Sequence, residues 1–258
     1  MAEILSMYPH SLLWHYLWIA PYCLQVVIAV VMVRRGSYRE LPVFFSYTVF
    51  EFTQGFLLFY LDHAPSVSPL QFAYSTWAAF LVSTVLRFAL IREIVSHLLR
   101  PYPALHEAGN TAFLWSTVLL LLLAVGVSFH SAINGHPIVS GLHLANRAVS
   151  LVQVGLTLLL FFGSSVFSLS WRSYLFGIAL GLGLYSTSQL GLSVADVQIA
   201  GFRSNYLLDF VDMGIYHGCV LIWLGYLWSR EPVRGQDMVV PNHELERWDA
   251  ELQRLLVQ

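Results

Sequence analysis

Two aspartates and a histidine interrupt an otherwise greasy run, Arg203 to Trp228, which reads RSNYLLDFVDMGIYHGCVLIWLGYLW. Asn205, Asp209, Asp212 and Tyr216 follow one another at i, i+4, i+7 and i+11, so a helix places them on one face, with His217 on its flank. A carboxylate in hydrocarbon costs roughly 2.5–3.5 kcal/mol on insertion scales. Two on one face therefore predict a stripe turned toward protein or water and away from lipid. An Asp–His–Tyr set of this kind can bind a polar ligand or carry acid–base chemistry.

The elements that must hold this stripe follow from composition. The chain has 258 residues, 57% hydrophobic and only 11% charged. A soluble domain carries about 25% charged residues, so the chain reads as an all-α integral membrane protein. A spanning helix needs about 20 apolar residues, and seven such runs are present: Leu12–Val33, Leu41–Leu61, Leu70–His97, Thr111–Phe129, Gly141–Phe167, Trp171–Val194 and Asn205–Trp228. Pro and Gly mark the joins between them. The first run is too long for a cleaved signal peptide and carries Arg34 and Arg35 on its far side, so it is expected to be retained.

Orientation follows from arginine, because the chain has no lysine. The joins after runs one, three, five and seven hold Arg34, Arg35, Arg39, Arg100, Arg172, Arg230 and Arg234; the other side holds Arg203. The positive-inside rule then predicts an outer N-terminus and a cytoplasmic C-terminus, in the plasma or inner membrane. Residues 1–230 are expected to form the seven-transmembrane-helix bundle and residues 231–258 a cytoplasmic tail. Within that tail Asn242–Leu256 shows an apolar face, Leu245, Trp248, Leu252 and Leu255, opposite Glu244, Glu246, Asp249 and Glu251. An acidic polar face is repelled by anionic lipid, so this short amphipathic helix is expected to dock on a cytoplasmic protein partner.

Depth, at about 1.5 Å per residue, sorts the remaining buried charge. Glu51 falls near the middle of the second run, with Arg87 of the third within reach. Arg147 of the fifth run matches the depth of Asp209 and Asp212 and is their expected partner. The expected ligand pocket is thus Arg147, Asp209, Asp212, Tyr216, His217 and Glu51. Ser186–Gln189 of the sixth run supply hydroxyls that can line a cavity, and the glycines at 177 and 181 form a GxxxG packing stripe.

Several classes are excluded or disfavoured. The missing lysine rules out a retinal Schiff base, and a net charge of −2 gives no nucleic-acid footprint. Cys23 and Cys219 lie inside apolar runs and read as packing residues, with no CxxC pattern. HExxH, GxSxG, GxGD and P-loop motifs are absent. His10, His15, His63, His130, His136 and His143 fall on the outer side without the i, i+4 spacing of a helical metal pair, so neither a metal nor a cofactor is expected. The best-supported reading is a non-enzymatic sensor, receptor-like or assembly module with an outer-facing polar pocket. One alternative is a small-solute transporter of three-plus-one-plus-three form, as in SWEET-type sugar transporters, because LQVVIAVV and VQVGLTLL weakly repeat. A lipid-directed intramembrane enzyme is the second alternative.

Overall fold

The computed structural model describes residues 11–99, 173–198 and 207–229, with isolated positions at 106, 107, 111, 115, 118, 150, 153–155 and 254. Every element among them is helical. The five long helices are α1 (Leu12–Arg35), α2 (Pro42–His63), α3 (Pro69–Leu99), α4 (Tyr174–Gln198) and α5 (Leu207–Trp228), with a short 3-10 turn at Ser37–Arg39. They coincide with runs one, two, three, six and seven. Runs four and five, and the tail helix with Leu245, Trp248, Leu252 and Leu255, lie outside the described residues.

Local chemistry sets these boundaries. Ser11 caps α1, its hydroxyl accepting from the Trp14 amide at 3.2 Å. Gly36 ends that helix in the left-handed region at φ 75°, its amide donating to the Val33 carbonyl at 3.2 Å; a Cβ is disfavoured in that conformation. Pro42 opens α2 at a position whose amide has no helical partner to lose. Before α3, Ser68 and Gln71 form a reciprocal capping box: the Gln71 amide donates to the Ser68 hydroxyl at 3.3 Å, and the Ser68 amide to Gln71 Oε1 at 2.9 Å.

Three stretches are both long and apolar enough to cross a membrane: Leu12–Arg35, Tyr174–Leu192 and Leu207–Trp228. Helices α2 and α3 have the length, but Glu51, Gln54, Asp62, Arg87, Arg92 and Glu93 lower their apolar character.

The chain divides into two compact units, Met1–Arg87 with Leu184–Ser229, and Phe88–Gly183 with Arg230–Gln258. In the first, α1 packs against both α2 and α5. Gly55 of α2 makes this approach possible, since a Cβ there would overlap the ring of Tyr22. One end of the unit is an aromatic layer: Trp14 meets Phe210 edge-on at 5.4 Å and Trp18 meets Phe59 at 5.6 Å. The other end is an apolar plug in which Trp223 lies edge-on to Phe44 at 5.7 Å and to Tyr47 at 6.0 Å, beside buried Ile28, Met32 and Leu41. Arg35 closes that end. Its guanidinium donates to the carbonyls of Leu227 at 2.5 Å, Trp228 at 2.9 Å and Ser229 at 3.2 Å, satisfying the last turn of α5 and its negative dipole end.

In the second unit, Phe88, Leu90, Ile91, Ile94 and Leu99 of α3 are buried, as are Phe176, Ile178, Ala179 and Leu182 of α4. Gly177 and Gly181 are buried too, consistent with a packing stripe.

Candidate functional site

Between the aromatic layer and the apolar plug of the first unit lies a layer of buried and half-buried polar side chains, most of them from the middle turns of their helices. Glu51 of α2 is its centre and is 3% exposed. Its Oε2 accepts from Gln54 Nε2 at 2.6 Å and from the Tyr216 hydroxyl at 3.4 Å, and its Oε1 accepts from the Ser83 hydroxyl of α3. Tyr216 of α5 in turn accepts from Gln25 Nε2 of α1 at 2.6 Å. Helix α4 enters through Tyr185, whose ring centroid is 5.3 Å from that of Tyr216. Gln189, one turn on, donates from Nε2 to the Tyr185 hydroxyl at 3.0 Å and to Asp212 Oδ1 at 2.6 Å. All five described helices thus contribute to one network.

Arg87 supplies the positive charge. Its guanidinium carbon stands 4.7 Å from the Tyr185 ring centroid, a cation–π contact, and its electrostatic neighbours are Tyr185, Tyr47, Glu51 and Tyr216. The Tyr47 hydroxyl lies within reach of the Arg87 guanidinium. Three buried polar atoms around this layer make no hydrogen bond to the protein: Arg87 Nε, Gln25 Oε1 and Thr84 Oγ1. Leaving such an atom unmet costs about 1–3 kcal/mol. A donor, an acceptor and a hydroxyl therefore remain able to bond a polar molecule.

The expected pocket residues separate into groups. Glu51, Asp212 and Tyr216 are brought into the network. Asp209, expected inside with Asp212, is exposed at the start of α5. Its place in the first turn of α5 explains why, because a carboxylate there is stabilised by the helix N-terminus and needs no buried site. His217 faces elsewhere, into an apolar groove of about 640 Å³ between α1 and α5 that is lined by Tyr16, Ile19, Cys23, Val27 and Leu221. Its ring lies 5.8 Å from that of Tyr16. Arg147 lies outside the described residues.

Gln25, Tyr47, Ser83 and Tyr185 are the members that spacing did not single out. The available signal was a lone amide in mid-run at Gln25, the same kind of signal that pointed to Glu51. Among the described residues no group of three or more His, Cys, Asp or Glu side chains is placed to hold a metal ion. Comparison with protein-family models, with curated proteins and with solved structures finds no match for this chain.

Proposed function

We propose that this chain is a multi-pass protein of the plasma or inner membrane, with seven helices, its N-terminus outside and its C-terminus in the cytoplasm, and that it works as a sensor or receptor-like module. A small polar solute binds at mid-helix depth among Glu51, Arg87, Asp212 and Tyr216. The response passes to a cytoplasmic protein through the acidic amphipathic helix at Asn242–Leu256. The carrying observation is the set of unmet polar atoms, Arg87 Nε, Gln25 Oε1 and Thr84 Oγ1, beside a carboxylate that is itself well bonded. Packing alone gives no reason to bury them, since apolar side chains of similar volume are often no less stabilising. A polar residue inside a membrane helix is by default a mark of function.

The mid-helix position of the network also favours a second reading, a small-solute transporter, because such proteins bind substrate near the bilayer midplane. Two measurements separate these readings. In nanodiscs, a panel of small amines, amino acids, sugars and carboxylates is screened by thermal shift against wild type, Glu51→Gln and Arg87→Gln. A solute that raises the wild-type Tm but neither variant's supports the pocket. A panel that shifts nothing, or shifts all three alike, overturns it. Solute-dependent flux in sealed vesicles favours the transporter; binding without flux favours the sensor.

A further inference from the structure

His15 and His63 are separated by 48 residues, yet their Nε2 atoms lie 3.0 Å apart where α1 begins and α2 ends. The rest of each ring is fixed. His15 Nδ1 lies 2.8 Å from the Ser11 carbonyl oxygen and His63 Nδ1 2.9 Å from the Phe59 carbonyl oxygen. A carbonyl only accepts, so both Nδ1 atoms carry the proton. In the neutral rings both Nε2 atoms are then lone-pair acceptors at hydrogen-bond distance, with no ring hydrogen to place between them. A metal ion set to one side of the pair can take both lone pairs, and a shared extra proton can lie between them.

We propose that His15 and His63 form a site for a single divalent transition-metal ion of nitrogen preference, Cu(II) foremost, bound through the two Nε2 atoms and completed by water. The chord supports this. At a metal–nitrogen distance of about 2.0–2.1 Å, donors 3.0 Å apart subtend about 91–97° at the ion, close to the angle between adjacent ligands of a tetragonal site. The surroundings are also those of a metal-binding histidine, which usually donates its other ring N–H to a carbonyl or carboxylate. Here both rings donate to carbonyls. Asp62 Oδ2 adds negative charge 3.6 Å from His63 Nδ1. The ring of Phe59 lies against His63 at a centroid distance of 4.3 Å and limits its tilt. With a side chain 38% exposed, His63 leaves the ion a path from water. The site owes nothing to the Glu51 network, so the two proposals stand or fall separately.

The test uses the full chain purified without a histidine tag, stripped with chelator and titrated with CuCl2 by calorimetry and electron paramagnetic resonance. The expected result is one tight equivalent per chain whose signal shows two coordinating nitrogens. His15→Gln and His63→Gln should each weaken that equivalent by about tenfold or more. His97→Gln, whose ring bonds the Glu93 carbonyl within α3, should leave it unchanged. Circular dichroism and size exclusion show whether each variant remains folded. If His15→Gln does not fold, the comparison rests on His63→Gln, whose side chain is the more exposed. Copper bound equally by wild type and a folded His63→Gln variant overturns the proposal. So does a wild type that retains no copper, the result expected if the pair merely shares a proton.

Discussion

At Glu51, three donors converge on one buried carboxylate: Gln54, Ser83 and Tyr216. Removing it leaves them unmet and strips Arg87 of a neighbouring negative charge. Glu51→Ala should lower unfolding stability by about 2–4 kcal/mol, read by denaturant titration in detergent micelles. The pairing with Arg87 is tested by a cycle: Glu51→Gln with Arg87→Gln should cost less than the two singles together, and strict additivity would show that the charges do not interact. Asp209 and Asp212 should respond unequally. Asp212 accepts a hydrogen bond from Gln189 at 2.6 Å inside the network, whereas Asp209 is exposed. Asp212→Asn is expected to cost about 1–2 kcal/mol and Asp209→Asn about 0.5 kcal/mol or less. Equal losses in the same titration would mean that the two carboxylates have equivalent surroundings.

At the level of helices, the polar layer is held by the contact of α1 with α2 and by the closure of α1 on α5. Gly55 governs the first. A valine there collides with Tyr22, and overpacking of this kind costs about 1–3 kcal/mol. Adding Tyr22→Ala should recover part of that loss; a double variant no better than Gly55→Val alone would place the strain elsewhere. Arg35 governs the second. It is one of the arginines on which the expected orientation rests, and it also caps the last carbonyls of α5. Arg35→Ala should speed hydrogen exchange in the C-terminal turn of α5 while leaving its first turn unchanged, measured by mass spectrometry.

For the whole molecule, the number and direction of the crossings follow from apolar length and from charge. Three stretches qualify on length and apolar character alone. Helices α2 and α3 fall short through the polar residues that make the network. If α2 and α3 cross the membrane with their polar faces turned inward, a reporter after Trp228 is active in the cytoplasm and one placed between α2 and α3, near Pro65, is active outside. Both reporters active on the same side would overturn the seven-helix topology.

How much could be read in advance depended on whether the deciding contact was local. Helix positions were legible because period, capping residues and apolar length act within a few turns: Ser11, Gly36, Pro42 and the Ser68–Gln71 box lie where the runs begin and end. Glu51, Asp212 and Tyr216 were legible as residues needing polar partners because a charge or hydroxyl in mid-run is costly wherever the chain folds. Spacing on a single helix did not foresee the exposure of Asp209 or the groove beside His217. A helical wheel ranks faces by angle, while burial depends on depth and on which neighbour covers each face. Asp209 falls at the rim in the first turn of α5, and His217 falls against α1. The contact of Glu51 with Tyr216 and the facing of His15 with His63 were beyond any local pattern, since they join residues 165 and 48 positions apart. Composition and periodicity dictate which segments are helices and which of their residues are expensive to bury. Only the packing of α1 against α2 and α5 decides which of those residues meet, because that choice rests on contacts between segments remote in the chain.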